Sequence, residues 1–172
     1  MNHTDRIFLD FSVRKLELLT ERIETCLDRL NADQIWARGG ENENAVGNLA
    51  MHLAGNVRQW IVSSIGGTPD VRQRDAEFAT RSGLSVAELK ERLRAAVTEG
   101  TAVIKGVTSE RLVEVVKIQK YEMPVMEAIY HVVEHFSMHA GQIMFATKML
   151  TSADLGFYAH LNKAAAHGQK TP

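Results

Sequence analysis

The stretch "PVMEAIYHVVEHFSMHAGQIMFATKML", from Pro124 to Leu150, decides how the rest of the chain is interpreted. Apolar side chains recur in it at helical spacing, and a proline fits the first turn of a helix. The pattern predicts one helix of about 27 residues, or about 40 Å. Because His131, His135 and His139 follow one another at intervals of four, this helix carries three imidazoles on one face.

Three further long helical patterns precede this helix. They cover residues 4–30, 45–65 and 86–105, and two short stretches in front of helices, "NADQ" (31–34) and "SVAE" (85–88), have the composition of capping boxes. Four long helices and little else predict an all-α protein with a four-helix bundle. A chain of 172 residues predicts a single domain over residues 1–172.

The connections between the helices are of several kinds. Residues 66–84 form a long polar loop, which is either functional or a crossover at the end of the bundle. A short helical turn is expected at 108–112, and residues 112–121 are predicted to be extended, without an obvious partner strand. A last short helix is predicted over residues 153–165.

The composition excludes several classes of protein. Hydrophobic residues make up 45% of the chain and charged residues 24%, and 20 basic and 21 acidic residues are mixed along it, which gives no basic stripe for nucleic acid. No apolar run is long enough for a membrane span, and the early charges in "MNHTDRIF" do not suit a signal peptide, so we expect a cytoplasmic protein. The single cysteine, Cys26, lies on an apolar stripe and is predicted to be a core thiol.

The histidines are the strongest chemical signal in the chain. Two imidazoles four residues apart can direct ring nitrogens at one metal ion. This segment alone, however, is equally compatible with core histidines that only form hydrogen bonds. His52 lies in the middle of the second helix, with Asn48 and Asn56 four residues before and after it. Histidines that face one another across a bundle core can share one ion, so His52, His135 and His139 are the predicted metal ligands.

The arrangement differs from the zinc-protease motif HExxH, because Phe136 stands where that motif needs its glutamate. The segment "HFSMHAGQI" (135–143), paired with a histidine on the second helix, resembles the DinB/YfiT-like superfamily, whose usual motif HxxxHRGQ has arginine where this chain has Ala140. The segments 48–67, 70–78 and 154–163 are similar to one uncharacterised branch of that superfamily.

The resemblance implies an up-down-down-up four-helix bundle that is often a homodimer, with a metal held by His52, His135 and His139. Characterised relatives include transferases and isomerases that use a low-molecular-weight thiol. The expected function is therefore a divalent-metal-dependent enzyme, either a thiol-dependent S-transferase or isomerase, or a hydrolase, acting on small molecules. Zinc or nickel is the expected metal, although imidazole also accepts other transition metals.

Two alternatives stay open. One is a non-catalytic dimeric bundle with a structural metal or a small-molecule-binding role, in which His131 is the obvious fourth ligand. The other is a plain helical bundle whose histidines only form hydrogen bonds. If His131 is not a fourth metal ligand, it is expected to be a core residue or to support the ligands.

Further polar residues are candidates for supporting the ligands or binding a substrate. Asn48, Asn56 and Gln142 could orient ligand rings or simply join helices by hydrogen bonds. Arg72 and Arg74 would suit a substrate carboxylate, and with Arg58, Asp75 and Glu77 they could line or gate the site, or be solvated surface charges. Gly141, in mid-helix, is expected to mark a close helix approach beside the metal.

Overall fold

The structure is a computed structural model, and it describes residues 2–161. Four long helices, the short helices and one hairpin follow in this order: α1 His3–Leu27, α2 Ala32–Trp36, α3 Val46–Val57 with a π-helical turn Arg58–Ser63, α4 Arg74–Ala79, α5 Val86–Lys105, α6 Ser109–Val113, β1 Val115–Ile118, β2 Tyr121–Pro124 and α7 Val125–Thr151.

The four long helices pack around one apolar core, so the predicted all-α four-helix bundle is confirmed. Leu16, Leu53, Leu93 and Phe136, one from each long helix, are fully buried. Cys26 is buried with them, as predicted. Burial of side chains of this size stabilises a fold by about 1.5–3 kcal/mol each.

The ion pairs between α1 and α5 establish how these helices run. Lys90 contacts Asp28 and Arg94 contacts Glu24, while Lys105 contacts Glu17, so residue numbers rise on one helix as they fall on the other. The two helices are therefore antiparallel. The predicted up-down-down-up order, as a whole, stays a prediction, as does the single domain.

Both predicted capping boxes are present and start their helices where expected. Asn31 Oδ1 accepts from the backbone N–H of Gln34, and the side chain of Gln34 accepts from the backbone N–H of Asn31. Ser85 and Glu88 do the same at the start of α5. These bonds satisfy donors that the first turn of a helix otherwise leaves without partners.

The predicted helix 45–65 is not α-helical throughout, because α3 changes to a π-helical turn after Val57. Just after that turn, the backbone N–H groups of Ser64 and Gly66 donate to the carbonyls of Gln59 and Ile61, five residues earlier. Such π-helical turns are frequent at functional sites, since they shift the side chains that follow.

The extended segment has a partner strand that the sequence analysis did not find. Strands β1 and β2 pair in antiparallel register, with Val116 opposite Met123, and Gln119 turns the chain with a φ of 56°. Residues 121–124 were not identified because a four-residue strand that ends in proline has too little pattern to be recognised. This hairpin precedes α7 directly.

Two sequence predictions were wrong. Residues 153–158 are not helical; helical structure begins only at Ala159, and the part of the predicted helix from 162 to 165 lies outside the described residues. Gly141 does not mark a close approach, since a Cβ placed on it would meet no atom within 4 Å.

Within residues 2–161, no helix combines the length and the apolar character that crossing a membrane requires. The cytoplasmic location stays a prediction.

Candidate metal centre

Three histidine side chains converge between α3 and α7. His135 Nε2 lies 3.1 Å from His52 Nε2 and 3.1 Å from His139 Nε2. Three ring nitrogens, one from each histidine, all lie within 4.8 Å of one another. Two imidazole nitrogens bound to one zinc at about 2.0–2.1 Å and tetrahedral angles would be about 3.3 Å apart. The spacing therefore suits a single shared ion.

The register of α3 against α7 creates this convergence. His52 faces His135, while the ring of Trp60 lies 4.2 Å from the ring of His131, centroid to centroid. As numbers rise on α3 they fall on α7, so these two helices are antiparallel at the site. The i, i+4 spacing on α7 then adds His139 beside His135.

The long loop brings a carboxylate to His52. Glu77, in α4, lies with Oε2 at 3.1 Å from His52 Nδ1, and its side chain is only 9% exposed. With Nδ1 protonated, the ring donates to the carboxylate and the lone pair of Nε2 is directed at the other histidines, whereas Arg72 Nη2, 3.0 Å from the same Nδ1, can donate to it only in the other tautomer. A carboxylate on the far nitrogen is the usual support for a metal-binding histidine, because it fixes the tautomer and the ring orientation.

Arg72 holds the Glu77 carboxylate from the other side. Its Nε donates to Oε1 at 2.7 Å and its Nη2 donates to Oε2 at 2.8 Å, a two-point contact between nearly buried groups. Burial acts to raise the pKa of Glu77, but the hydrogen bonds from Arg72 and His52 outweigh it and leave that pKa below its ordinary value. The carboxylate is therefore ionised at neutral pH.

Gly55 makes this contact possible. A Cβ on Gly55 would lie 2.0 Å from Glu77 Oε1, so any side chain at this position of α3 would push the carboxylate away. Asn48 holds the backbone of the segment that carries Glu77, since Asn48 Nδ2 donates to the carbonyls of Glu77 and Thr80 at 2.7 and 2.8 Å. Asn48 thus acts on α4, and among the described residues it forms no hydrogen bond with a histidine ring.

The rings of His135 and His139 are neutral at pH 7. Burial, followed by the neighbouring His139 and His52, lowers the pKa of His135 to about 3. Burial also lowers the pKa of His139, against the raising effect of its hydrogen bond to Gln142. His139 Nδ1–H donates to Gln142 Oε1 at 2.6 Å, which again leaves Nε2 free. Metal ligation requires neutral rings of this kind.

A cavity of about 410 Å³ adjoins the cluster. His52 and His135 line it, together with Trp60, Tyr121 and His131. Its volume lies in the range of small-molecule sites. Aromatic rings form much of one side, so a bound molecule would be partly shielded from water.

The remaining predicted site residues lie as follows. Arg72 also donates to Gln59, so its guanidinium is already engaged and is not free for a substrate carboxylate. Arg74 is exposed at the cavity and its guanidinium lies 5.0 Å from the ring centroid of Phe78. His131 packs against Trp60 with the two rings tilted by 35°, and it is not part of the three-histidine group.

Comparison with known proteins agrees with this architecture. A conserved protein from Enterococcus faecalis has a TM-score of 0.70 at 16% identity, over 89% of this chain and 99% of its own. A DinB-like protein from Bacillus subtilis has a TM-score of 0.65 at 13% identity, over 86% and 96% of the two chains. A mycothiol-dependent maleylpyruvate isomerase has a TM-score of 0.62 at 16% identity, over 78% of this chain and 60% of the isomerase.

At these identities the likeness shows the fold, which is that of the DinB/YfiT-like superfamily. The chain belongs to the family described as "Protein of unknown function (DUF1572)", whose model matches residues 3–159. The resemblance found in the sequence is thereby confirmed. The search of curated proteins found no match.

Proposed function

We propose that this protein is a divalent-metal-dependent enzyme whose ion is held by His52, His135 and His139. The reaction is thiol-dependent S-transfer or isomerisation, or hydrolysis, of a small molecule. The observation that carries this proposal is the convergence of three Nε2 atoms beside a cavity of about 410 Å³. The structural likeness to a mycothiol-dependent isomerase supports a thiol as the second participant.

The protons in the cluster support a metal over hydrogen bonding alone. In the tautomers in which His52 and His139 donate Nδ1–H to Glu77 and Gln142, their Nε2 atoms are acceptors without protons. His135 Nε2 can carry only one proton for two such acceptors. Three convergent lone pairs in a buried place repel one another unless a cation shares them, and a transition metal is the cation that imidazole prefers.

The donor set also indicates what the ion would do. Three neutral imidazoles leave a divalent ion its full charge, so such an ion lowers the pKa of a bound water or thiol and supplies a nucleophile near pH 7. Zinc and nickel are the expected ions.

The surrounding side chains contribute in their own ways. Glu77 and Gln142 hold two ligand rings in the required tautomer, Trp60 and Tyr121 form an aromatic wall beside them, and Arg74 offers a positive charge for an anionic group.

We further propose that the protein is a homodimer, joined through α1 and α7. Apolar side chains are exposed along both helices, and Phe11, Met138, Phe145 and Met149 are 52%, 56%, 68% and 69% exposed. These helices pack against each other in the bundle, so their outer faces are adjacent. An apolar surface of this kind typically marks an interface.

Elemental analysis combined with a thiol titration tests the proposal. We expect close to one transition-metal ion per purified chain, and the cobalt-loaded protein should develop a thiolate-to-cobalt absorption band when a small thiol is added. Protein that retains no metal and gains none on titration contradicts the metal site. Metal binding without any thiol band contradicts the thiol-dependent reaction and leaves hydrolysis.

A further inference from the structure

Two of the three proposed ligand rings have an acceptor for their far nitrogen, and the third does not. His52 Nδ1 meets Glu77 and His139 Nδ1 meets Gln142. His135 Nδ1 is buried, and no side chain or backbone group among residues 2–161 forms a hydrogen bond with it. When Nε2 of this ring binds a metal, Nδ1 carries the proton and becomes a buried donor that needs an acceptor.

The side chain of Asn56 presents the complementary problem. It is 4% exposed, and its Oδ1 is a buried acceptor with no partner within the described part of the chain. A buried amide oxygen without a hydrogen bond costs about 1–3 kcal/mol. The stability of the bundle alone therefore does not explain why an asparagine occupies this position.

The register of the two helices places Asn56 and His135 in the same region. His52 faces His135 and Trp60 faces His131, and Asn56 lies midway between His52 and Trp60 on α3. Asn56 is therefore opposite the turn of α7 that separates His131 from His135. Both Asn56 and His135 line the cavity beside the cluster.

We propose that Asn56 Oδ1 accepts a hydrogen bond from His135 Nδ1–H when the metal is bound. This inference rests on the metal site proposed above and adds to it, because each ligand ring then has its own acceptor: Glu77, Gln142 and Asn56. Asn56 is a positioning residue. It orients His135 and excludes the tautomer that would place a proton on the metal-binding nitrogen.

The isosteric change Asn56→Leu removes the acceptor and keeps the volume. We expect its zinc affinity to fall about 10- to 100-fold, the usual effect of losing such a partner. Asn56→Asp keeps an acceptor and should bind zinc at least as tightly as the unchanged protein. Without metal, Asn56→Leu should be at least as stable as the unchanged protein, because it removes a buried polar group that has no partner.

A magnetic-resonance measurement of the ring N–H protons in zinc-loaded protein distinguishes this role from a purely structural one. If Asn56 only supported the fold, its replacement would not change the His135 N–H signal. The unchanged protein should show slowly exchanging Nδ1–H signals from all three ligand rings. Asn56→Leu should lose only the signal of His135. Gln142→Leu, the matched control, should lose only the signal of His139.

Two results overturn the inference and leave the metal site standing. One is a His135 N–H signal and a zinc affinity that Asn56→Leu leaves unchanged, and the other is equal weakening by Asn56→Leu and Asn56→Asp. Failure of the unchanged protein to bind zinc overturns the metal site and this inference together. If Asn56→Leu does not fold, Asn56→Ala takes its place, and the absence of a slowly exchanging His135 signal from the unchanged zinc-loaded protein overturns the inference by itself.

Discussion

Replacing Glu77 with glutamine should damage both the fold and the metal site. Glu77→Gln keeps the size of the side chain but removes the charge that Arg72 contacts at two points. The glutamine amide also cannot accept hydrogen bonds from both His52 and Arg72 as the carboxylate does, because an NH₂ group, which only donates, replaces one of the two oxygens. The buried guanidinium of Arg72 is then left without its counter-charge.

The size of both effects follows from burial. The side chains of Arg72 and Glu77 are 4% and 9% exposed, and removing one partner of a buried ion pair costs about 3–5 kcal/mol. Because glutamine retains one acceptor, we expect a loss at the lower end, about 3 kcal/mol, in metal-free protein. Loss of the carboxylate behind His52 should weaken zinc binding about 10- to 100-fold.

Urea unfolding of the metal-free protein measures the first effect, and competitive zinc titration measures the second. Gly55→Ala provides an independent perturbation, because its methyl group would lie 2.0 Å from Glu77 Oε1 and should weaken zinc binding without removing the charge. Asp75→Asn, an exposed acid in the same short helix, is the matched control and should change neither quantity. A Glu77→Gln protein within about 0.5 kcal/mol of the original stability, with unchanged zinc affinity, would refute the reasoning.

Three further measurements follow from the structure. His52→Gln should abolish zinc binding as judged by elemental analysis, whereas His131→Gln should retain the metal; equal loss in both would mean that His131 is a ligand. In metal-free protein, the free energy of unfolding should fall as the pH drops from about 6.5 towards 3. The reason is that His135 takes up a proton in the unfolded chain but stays neutral in the native protein, where its pKa is about 3. A urea midpoint that is independent of pH over that range contradicts this. Phe145→Asp should convert a dimer to a monomer in light scattering while the control Lys117→Asp does not, and a parent protein that is already monomeric rejects the dimer.

The features that the sequence predicted well are local ones. The capping boxes at Asn31 and Ser85 each lie within four residues and indicate where a helix begins. The spacing of His135 and His139 places two rings on one helix face independently of the rest of the fold. The long-range step was the pairing of His52 with these two. It depended on the position of His52 between Asn48 and Asn56, a polar stripe on an otherwise apolar helix, and the structure brings all three histidine rings together.

The role of Glu77 could not be predicted in the same way. It lies 25 positions from His52 in the chain, in a loop that also contains Asp70 and Asp75, and no spacing distinguishes one acid from the others. A usable signal was Gly55, because glycine inside a helix often marks a close approach of another group. The close approach predicted at Gly141 is absent, because a Cβ there would meet no atom within 4 Å.

Whether the metal would be structural or catalytic depends on His131. Structural zinc sites close the ion with four protein ligands, whereas catalytic sites keep a position open beside three. His131 faces Trp60 at 4.2 Å, with its ring centroid 5.8 Å from that of His135, and the group that could share an ion contains only His52, His135 and His139 among the described residues. To become a fourth ligand, His131 would have to leave the aromatic face that holds it. Since a cavity adjoins two of the three histidines, an ion held by them would keep a position open to a water or a substrate, as catalytic sites do.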